Sequence, residues 1–304
     1  MHIVPREYIY SLGMARKPRT LVRRRRQKRS RARTRKLKGG AVEKNPVFYC
    51  DFHLGDNILN LKFFFNISSV LKDHGIKVTY LYNPSHVKNP DELKRYANPD
   101  TLVLDILHTP PAGSIRVWMG DVIDGMNYHN FDEYYNKFYK MILDKLGLGN
   151  LGIDTSLYQK EPYLEEMYNK FDDKFKNLDI LIINAEPLSM QTDYKKDLFD
   201  KMCIMLSDKK YKIATTSPIN DNDTIPCTFK DNLLLQDIGA ISTHAKFIIA
   251  VHSGPLTPCF NDATKQNVKK WILFADYGVV HSQIPSVIIK SGYDHSAIEE
   301  YLRS

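Results

Sequence analysis

The sequence lacks several features that would place it in common functional classes. Its four cysteines form no CxxC or CxxH pair that could begin a zinc site, and their scatter favours a reducing compartment. No run of about 18 apolar residues could span a bilayer, and no apolar signal-peptide core follows the first residues. Gly-x-Ser-x-Gly and Walker-type loops are also missing. We therefore expect a soluble intracellular protein, and we find no support for a serine hydrolase or a P-loop enzyme.

Acidic residues are nearly absent from the first 40 positions, which divides the chain into two regions. Residues 1–40 hold 15 of the 43 basic residues and one of the 35 acids, so this region carries +14 and the remainder carries −6. Overall, 43% of the 304 residues are hydrophobic and 26% are charged, which is typical of a folded chain with one large or two small units. The basic region and the acidic body need separate explanations.

The basic region is predicted to be a disordered tail. Almost nothing between Arg16 and Lys38 is apolar, so burial cannot offset the entropy of ordering, and Gly39-Gly40 forms a linker; we set the boundary at residue 44. Such a segment binds polyanions with strong salt dependence, which fits nucleic acid, a nuclear-import receptor or an anionic surface, whereas a solvated tail without a partner is the other interpretation. The tail also resembles the basic arms, ending in Gly-Gly-X, of proteins from large DNA viruses. The predicted polyanion-binding residues are Arg23, Arg24, Arg25, Arg26, Lys28, Arg29, Arg31, Arg33, Arg35 and Lys36.

The body alternates short apolar runs with helical patterns, which predicts an α/β fold with parallel sheets. We expect two Rossmann-like halves, residues 45–176 and 177–304, with a ligand crevice at the carboxyl ends of the strands. Predicted strands cover 47–52, 77–82, 101–105, 115–119, 179–184, 212–216, 246–251 and 271–275; predicted helices cover 58–74, 132–146, 161–174, 194–206, 233–244 and 294–302.

The first candidate site follows the first predicted strand. There, His53, Gly55, Asp56 and Asn57 lead into a long helix, and the glycine would let a ligand approach the backbone. We predict that His53, Gly55 and Asn57 bind substrate. Asp56 has two interpretations. It could cap the helix, or it could face the crevice and accept a proton from an attacking hydroxyl.

The second candidate site follows the apolar strand 246–251. His252, Ser253, Gly254 and Pro255 form a turn between a parallel strand and a helix, which suits a phosphate because the backbone amides point outward. The serine would add a hydroxyl donor, and His252 is predicted to bind the ligand. An ordinary turn and a structural histidine are the simpler interpretations.

Together, HLGDNILNL and ISTHAKFIIAVHSGPLTPCFN resemble the GT-B glycosyltransferases of the ADP-heptose:lipopolysaccharide heptosyltransferase family (family 9) and, more loosely, the fucosyltransferases of that fold. The resemblance implies that Asp56 is the catalytic base, that Gly55 lines the acceptor side, and that Ser253, Gly254 and Pro255 bind the donor diphosphate. It also implies that residues 45–176 form the acceptor half and residues 177–304 the nucleotide-sugar half. After the Ser-Gly-Pro turn the sequence departs from the family, because Pro258 restricts the first turn of the next helix.

The function implied is transfer of a sugar, a hexose or heptose, from a nucleotide-sugar to an acceptor hydroxyl, without a cofactor or metal, in the cytoplasm or within a virion. A metal-dependent transferase is the alternative mechanism, since Asp221 and Asp223 have an Asp-x-Asp spacing suited to Mg²⁺ or Mn²⁺. An alternative of another class is an inactive virion or nucleic-acid-packaging protein that acts through its tail.

Overall fold

The computed structural model describes residues 45–122, 130–187, 194–220, 222–276, 281–289 and 296–303. Two all-parallel β-sheets lie within it, one built before residue 117 and one after residue 179. The predicted polyanion-binding residues and Asp221 lie outside the described residues.

The first sheet has four strands in the order β3-β2-β1-β4. Apolar residues on alternate positions bury one face of the central strand β1, where Phe48 lies opposite Tyr80 of β2 and Ile115 of β4. The strands are β1 Val47–Cys50, β2 Val78–Tyr82, β3 Leu102–Ile106 and β4 Ile115–Arg116.

The helices of the first half differ in detail from the predicted ones. The helix predicted from Ile58 to His74 begins four residues earlier, and it is divided at Ile67. The observed helices are α1 Leu54–Asn66, α2 Ser68–Asp73, α3 Asp91–Lys94, α4 Phe131–Lys145 and α5 Tyr163–Asn169. The earlier start of α1 places Gly55, Asp56 and Asn57 in the first helical turn, with His53 at the N-cap.

The second sheet has five strands in the order β6-β5-β7-β8-β9. Every residue of β5 is buried, as expected for a central parallel strand covered on both faces. The sequence did not predict β9. The strands are β5 Ile180–Ile183, β6 Ile213–Thr215, β7 Phe247–Val251, β8 Lys270–Phe274 and β9 Ser286–Ile289; the helices are α6 Lys196–Asp208, α7 Leu235–Ser242, α8 Asp262–Asn267 and α9 Ser296–Arg303.

One apolar core extends through both halves. Phe48 and Tyr80 of the first sheet belong to the same buried cluster as Ile248 and Trp271 of the second. The other face of the second sheet packs against α6 and α9 in a separate cluster. The larger of these two apolar clusters therefore contains residues of both sheets.

Charged residues also join the two halves. Lys62 of α1 forms a buried ion pair with Glu161 (2.7 Å) and donates a hydrogen bond to the Phe260 carbonyl (2.9 Å) in the second half. Arg95, which follows α3, contacts Asp237 of α7 at 2.6 Å. These contacts fix α1 and α3 against the second half.

The expected α/β architecture of two Rossmann-like halves is confirmed for the described residues. None of the described helices is long and apolar enough to cross a bilayer. All four cysteines are buried and free.

Candidate functional site

The structure brings the two candidate motifs into contact. The motif after β1 opens helix α1, and the motif after β7 opens the 3₁₀ helix Gly254–Cys259. A Cβ atom on Gly55 would lie 2.9 Å from the Gly254 Cα atom, and a Cβ atom on Gly254 would lie 3.3 Å from the Gly55 nitrogen. The backbones approach this closely because both residues are glycine. Segments far apart in the sequence thus meet at the carboxyl ends of β1 and β7.

Asp56 is the third residue of α1, and it is not the helix cap. His53 occupies the N-cap position and makes no side-chain cap hydrogen bond. Burial raises the pKa of Asp56 to about 6, and hydrogen bonds from the backbone N–H groups of Asp56 and His53 offset part of the rise. The side chain keeps partial solvent exposure, and no cation perturbs it among the described residues. A carboxylate with a pKa near neutrality can accept a proton from a hydroxyl.

His53 lies three residues before this carboxylate in the chain, at the N-cap of α1. Burial lowers its pKa, and the nearby imidazole of His86 lowers it further. The two imidazole rings are 5.0 Å apart in an edge-to-face arrangement, and His86 is exposed. Both rings offer hydrogen-bonding nitrogen atoms near the opening of α1.

Asn57 is fully buried, and it holds the turn together. Its amide nitrogen donates to the carbonyl oxygens of Phe52 (3.0 Å) and His53 (2.9 Å), and its amide oxygen accepts from the Tyr80 hydroxyl (3.0 Å). Both ends of the amide are therefore used within the protein. The structure gives Asn57 a positioning role, in contrast to the predicted contact with substrate.

Ser253 precedes the 3₁₀ helix in an extended conformation. Its hydroxyl oxygen is buried and lacks a hydrogen-bond partner among the described residues. A buried hydroxyl without a partner is uncommon in proteins, and a ligand or a water molecule is the usual explanation. Ser253 therefore offers a hydroxyl to a bound group.

His252 is buried and belongs to a network that the sequence did not predict. Its Nε2 atom lies 3.1 Å from Nε2 of His281, and Nδ1 of His281 lies 3.3 Å from the Asp132 carboxylate. Burial lowers the pKa of His252 to about 3, with a further contribution from His281. Burial opposes ionisation of Asp132, but hydrogen bonding to His281 and the charge of that ring hold its pKa below the ordinary value. The network links α4 to the residue before Ser253.

The carboxylate of Asp132 also fixes the segment that follows His281. It accepts hydrogen bonds from the Gln283 backbone N–H (2.8 Å), the Ser282 hydroxyl (3.2 Å) and the Tyr158 hydroxyl (3.2 Å). No spacing rule could have found this group, because its members lie up to 151 residues apart.

Other charged residues near the motifs have different partners. Lys246, at the start of the apolar strand, pairs with Asp179 at 2.7 Å, and His244 bonds to Glu165 at 2.8 Å. Asp223 of the predicted Asp-x-Asp pair forms a salt bridge with Lys230. No cluster of three or more potential metal ligands occurs among the described residues.

An aromatic pair before the start of α1 was also not predicted from the sequence. Phe52, which immediately precedes the N-cap of α1, stacks on Trp118 with ring centroids 3.9 Å apart and planes 10° apart. Both side chains are half-buried at the carboxyl ends of β1 and β4. We refer to Phe52 and Trp118 as the aromatic platform.

The fold is similar to that of solved glycosyltransferases. E. coli heptosyltransferase WaaC with ADP-2-deoxy-2-fluoro heptose matches at a TM-score of 0.53 with 8% identity, over 85% of this chain and 99% of that one. The same enzyme with ADP matches at 0.50 with 10% identity, over 85% and 99%. A family 9 glycosyl transferase from Veillonella parvula DSM 2008 matches at 0.45 with 14% identity, over 86% and 89%.

The two WaaC matches show a GT-B-like fold. No protein-family model matches the chain, and a sequence comparison with curated proteins finds no match.

Proposed function

We propose that the protein is a glycosyltransferase that moves a sugar from a nucleotide-sugar to an acceptor hydroxyl. The observation that carries this proposal is the contact between Gly55 and Gly254. Each glycine is adjacent in the chain to a polar residue, Asp56 or Ser253, whose side chain has no side-chain partner among the described residues, and this supports a shared site. The donor would be similar in class to the ADP-sugar named with the WaaC structure.

Asp56 acts as the general base in this proposal. It removes the proton from the acceptor hydroxyl while that oxygen forms a bond to the anomeric carbon of the donor. The bond between the anomeric carbon and the diphosphate oxygen breaks, and its electron pair leaves with the nucleoside diphosphate. A pKa of about 6 leaves Asp56 mainly ionised near pH 7, yet basic enough to accept the proton.

The turn after β7 stabilises the leaving diphosphate. The Ser253 hydroxyl and the Gly254 backbone N–H would donate hydrogen bonds to the charge that develops in the transition state. Asp132, through His281 and His252, holds this turn in position. We further propose that the leaving group needs no metal, since these donors supply the electrostatic stabilisation.

Donor binding and sugar transfer test the proposal directly. ADP, GDP and UDP, and then their labelled sugar conjugates, are added to the full chain, and thermal stability and label transfer are measured with and without EDTA. We expect at least one nucleotide to raise Tm and transfer to persist in EDTA. Asp56→Asn should reduce transfer by a factor of about 100 or more while donor binding is kept.

The matched control is Asp73→Asn, because Asp73 is an exposed aspartate at the end of α2. This variant should transfer at the normal rate. If none of the nucleotides binds and Asp56→Asn changes nothing, the enzyme proposal is wrong.

The alternative function rests on the +14 charge of residues 1–40. A packaging protein that acts through this region would bind nucleic acid with strong salt dependence, and deletion of the region would abolish binding. It would also show no affinity for nucleotide-sugars, so the same donor assay separates the two functions.

A further inference from the structure

The aromatic platform is joined directly to the helix turn that carries Asp56. The Phe52 carbonyl accepts a hydrogen bond from Asn57, and the next residue, His53, is the N-cap of α1. Trp118 reaches the same edge of the sheet from β4, because the Val117 N–H bonds to the Tyr49 carbonyl and extends the pairing of β1 with β4. The platform therefore lies at the carboxyl edge that also bears the proposed base.

Trp118 is held in one orientation. The indole ring rests against the backbone of Gly120. A Cβ atom at position 120 would lie 2.3 Å from the ring, so any larger residue there would clash with it. Arg116 contacts both rings, with its guanidinium carbon 5.2 Å from the Phe52 centroid and 5.0 Å from the Trp118 centroid. An indole fixed in this way can bind a ligand with little loss of conformational entropy.

The polar groups around the platform carry a net negative charge. Arg116 pairs with Asp51 through two bonds (2.9 and 3.3 Å) and with Asp121 through one (3.1 Å). The three side chains are 32%, 38% and 37% exposed, respectively, so each can still reach a ligand. Since two carboxylates surround one guanidinium, an anionic ligand would meet like charge with no free cation from this group.

We propose that the aromatic platform, with Asp51, Arg116 and Asp121, binds an uncharged carbohydrate acceptor. The C–H groups on one side of a sugar ring carry partial positive charge and pack on the negative face of an aromatic ring. The hydroxyl groups of the sugar donate to the carboxylates and accept from the guanidinium. The role as acceptor site rests on the proposed function, whereas carbohydrate binding by the platform does not.

The two tryptophans of the chain make this proposal measurable by fluorescence. Trp271 is fully buried in the shared core, so Trp118 is the one that can report a ligand at the surface. The full chain is titrated with methyl α-D-glucoside, methyl α-D-mannoside, methyl β-D-galactoside and lactose, and with glucose 6-phosphate and mannose 6-phosphate as charged counterparts. We expect saturable fluorescence changes with at least one neutral sugar and at least about tenfold weaker binding of the phosphates.

Variants separate a binding platform from a structural one. Trp118→Ala should weaken binding, followed by saturation-transfer NMR, by about tenfold or more, whereas Trp118→Phe should abolish the fluorescence change and retain most of the binding. The control is Phe229→Ala, which removes an aromatic ring that is 70% exposed elsewhere on the surface, and it should leave binding unchanged.

The outcomes also distinguish this proposal from the proposed function. If transfer occurs and Trp118→Ala leaves the acceptor KM unchanged, the platform proposal is overturned and the enzyme assignment stands. If neutral sugars bind through Trp118 but no nucleotide binds, the platform stands as a carbohydrate site and the enzyme assignment fails. Binding of none of the sugars up to about 100 mM, or preferential binding of the phosphates, would overturn the platform proposal.

Discussion

Replacement of Asp56 by asparagine should make the protein more stable near neutral pH. Folding raises the pKa of this carboxyl from 3.8 to about 6, so the folded state binds its proton more tightly than the unfolded state does. Stability is then lost as the pH rises from about 4 to about 6, and the full penalty remains at higher pH. The Asp56→Asn variant would carry no such penalty, because its side-chain amide is neutral at every pH.

The magnitude follows from the size of the pKa shift. At about 1.4 kcal/mol per pKa unit, the shift corresponds to at most about 3 kcal/mol, and the partial exposure of the side chain reduces this to roughly 1–3 kcal/mol. The increase in the free energy of unfolding of Asp56→Asn over the wild type should be full near pH 7.5, smaller near pH 5, and absent below about pH 4.

Urea denaturation of the wild type and of Asp56→Asn at several pH values measures this difference, with Asp73→Asn as the control. A helix-start role alone predicts the opposite sign, since loss of a favourable charge in the first turn costs about 0.3–1 kcal/mol. Equal or lower stability of the variant near pH 7.5 would refute the argument that burial strains this carboxylate.

Three further substitutions test other contacts of the structure by denaturation and calorimetry. Lys62→Met should lower the free energy of unfolding by about 3–5 kcal/mol, because it leaves the buried carboxylate of Glu161 without its partner. Lys170→Met, which removes an exposed ion pair, should lower it by less than about 1 kcal/mol. Equal losses in the two variants would contradict the burial assigned to Lys62 and Glu161. Gly55→Ala should destabilise the fold by about 1–3 kcal/mol and weaken nucleotide binding, because the new methyl group would collide with the Gly254 backbone. The loss should occur although alanine favours helices. An alanine variant with normal stability and binding would argue against this close approach. Asp132→Asn should lower the free energy of unfolding near pH 7 and lower it less at acidic pH, because the lowered pKa of Asp132 means that its ionised form stabilises the fold. A loss of stability that is independent of pH would show that the Asp132 charge beside His281 is unimportant.

Local sequence patterns predicted eight of the nine described strands, whereas the expectation that the two glycine motifs form one site came from the family resemblance. The apolar runs at Ile180–Ile183 and Phe247–Val251 could be assigned because central parallel strands bury both faces. By contrast, β9 is short and partly exposed, so its composition gave no signal, and its place in the sheet comes from pairing with β8. The boundary of α1 was missed because Leu54 and Gly55 carry no strong helix-start signal of their own.

The chemistry around the motifs was less predictable. The link from Asp132 to His281 and the stacking of Phe52 on Trp118 depend on how distant strands and helices are placed. A histidine far from any other ligand type has no recognisable spacing, and a tryptophan after a two-residue strand looks like an ordinary core residue. Such groups become visible only when the topology brings them to the same edge of a sheet.

The common apolar cluster limits how this chain can be divided. Because Phe48 and Trp271 belong to the same buried cluster, a fragment ending between the two sheets would expose to water a surface that the missing piece normally covers. Separately expressed fragments should aggregate, while co-expression should recover soluble material as the complementary pieces associate. Restored solubility of the co-expressed fragments would then show that they reassemble in living cells.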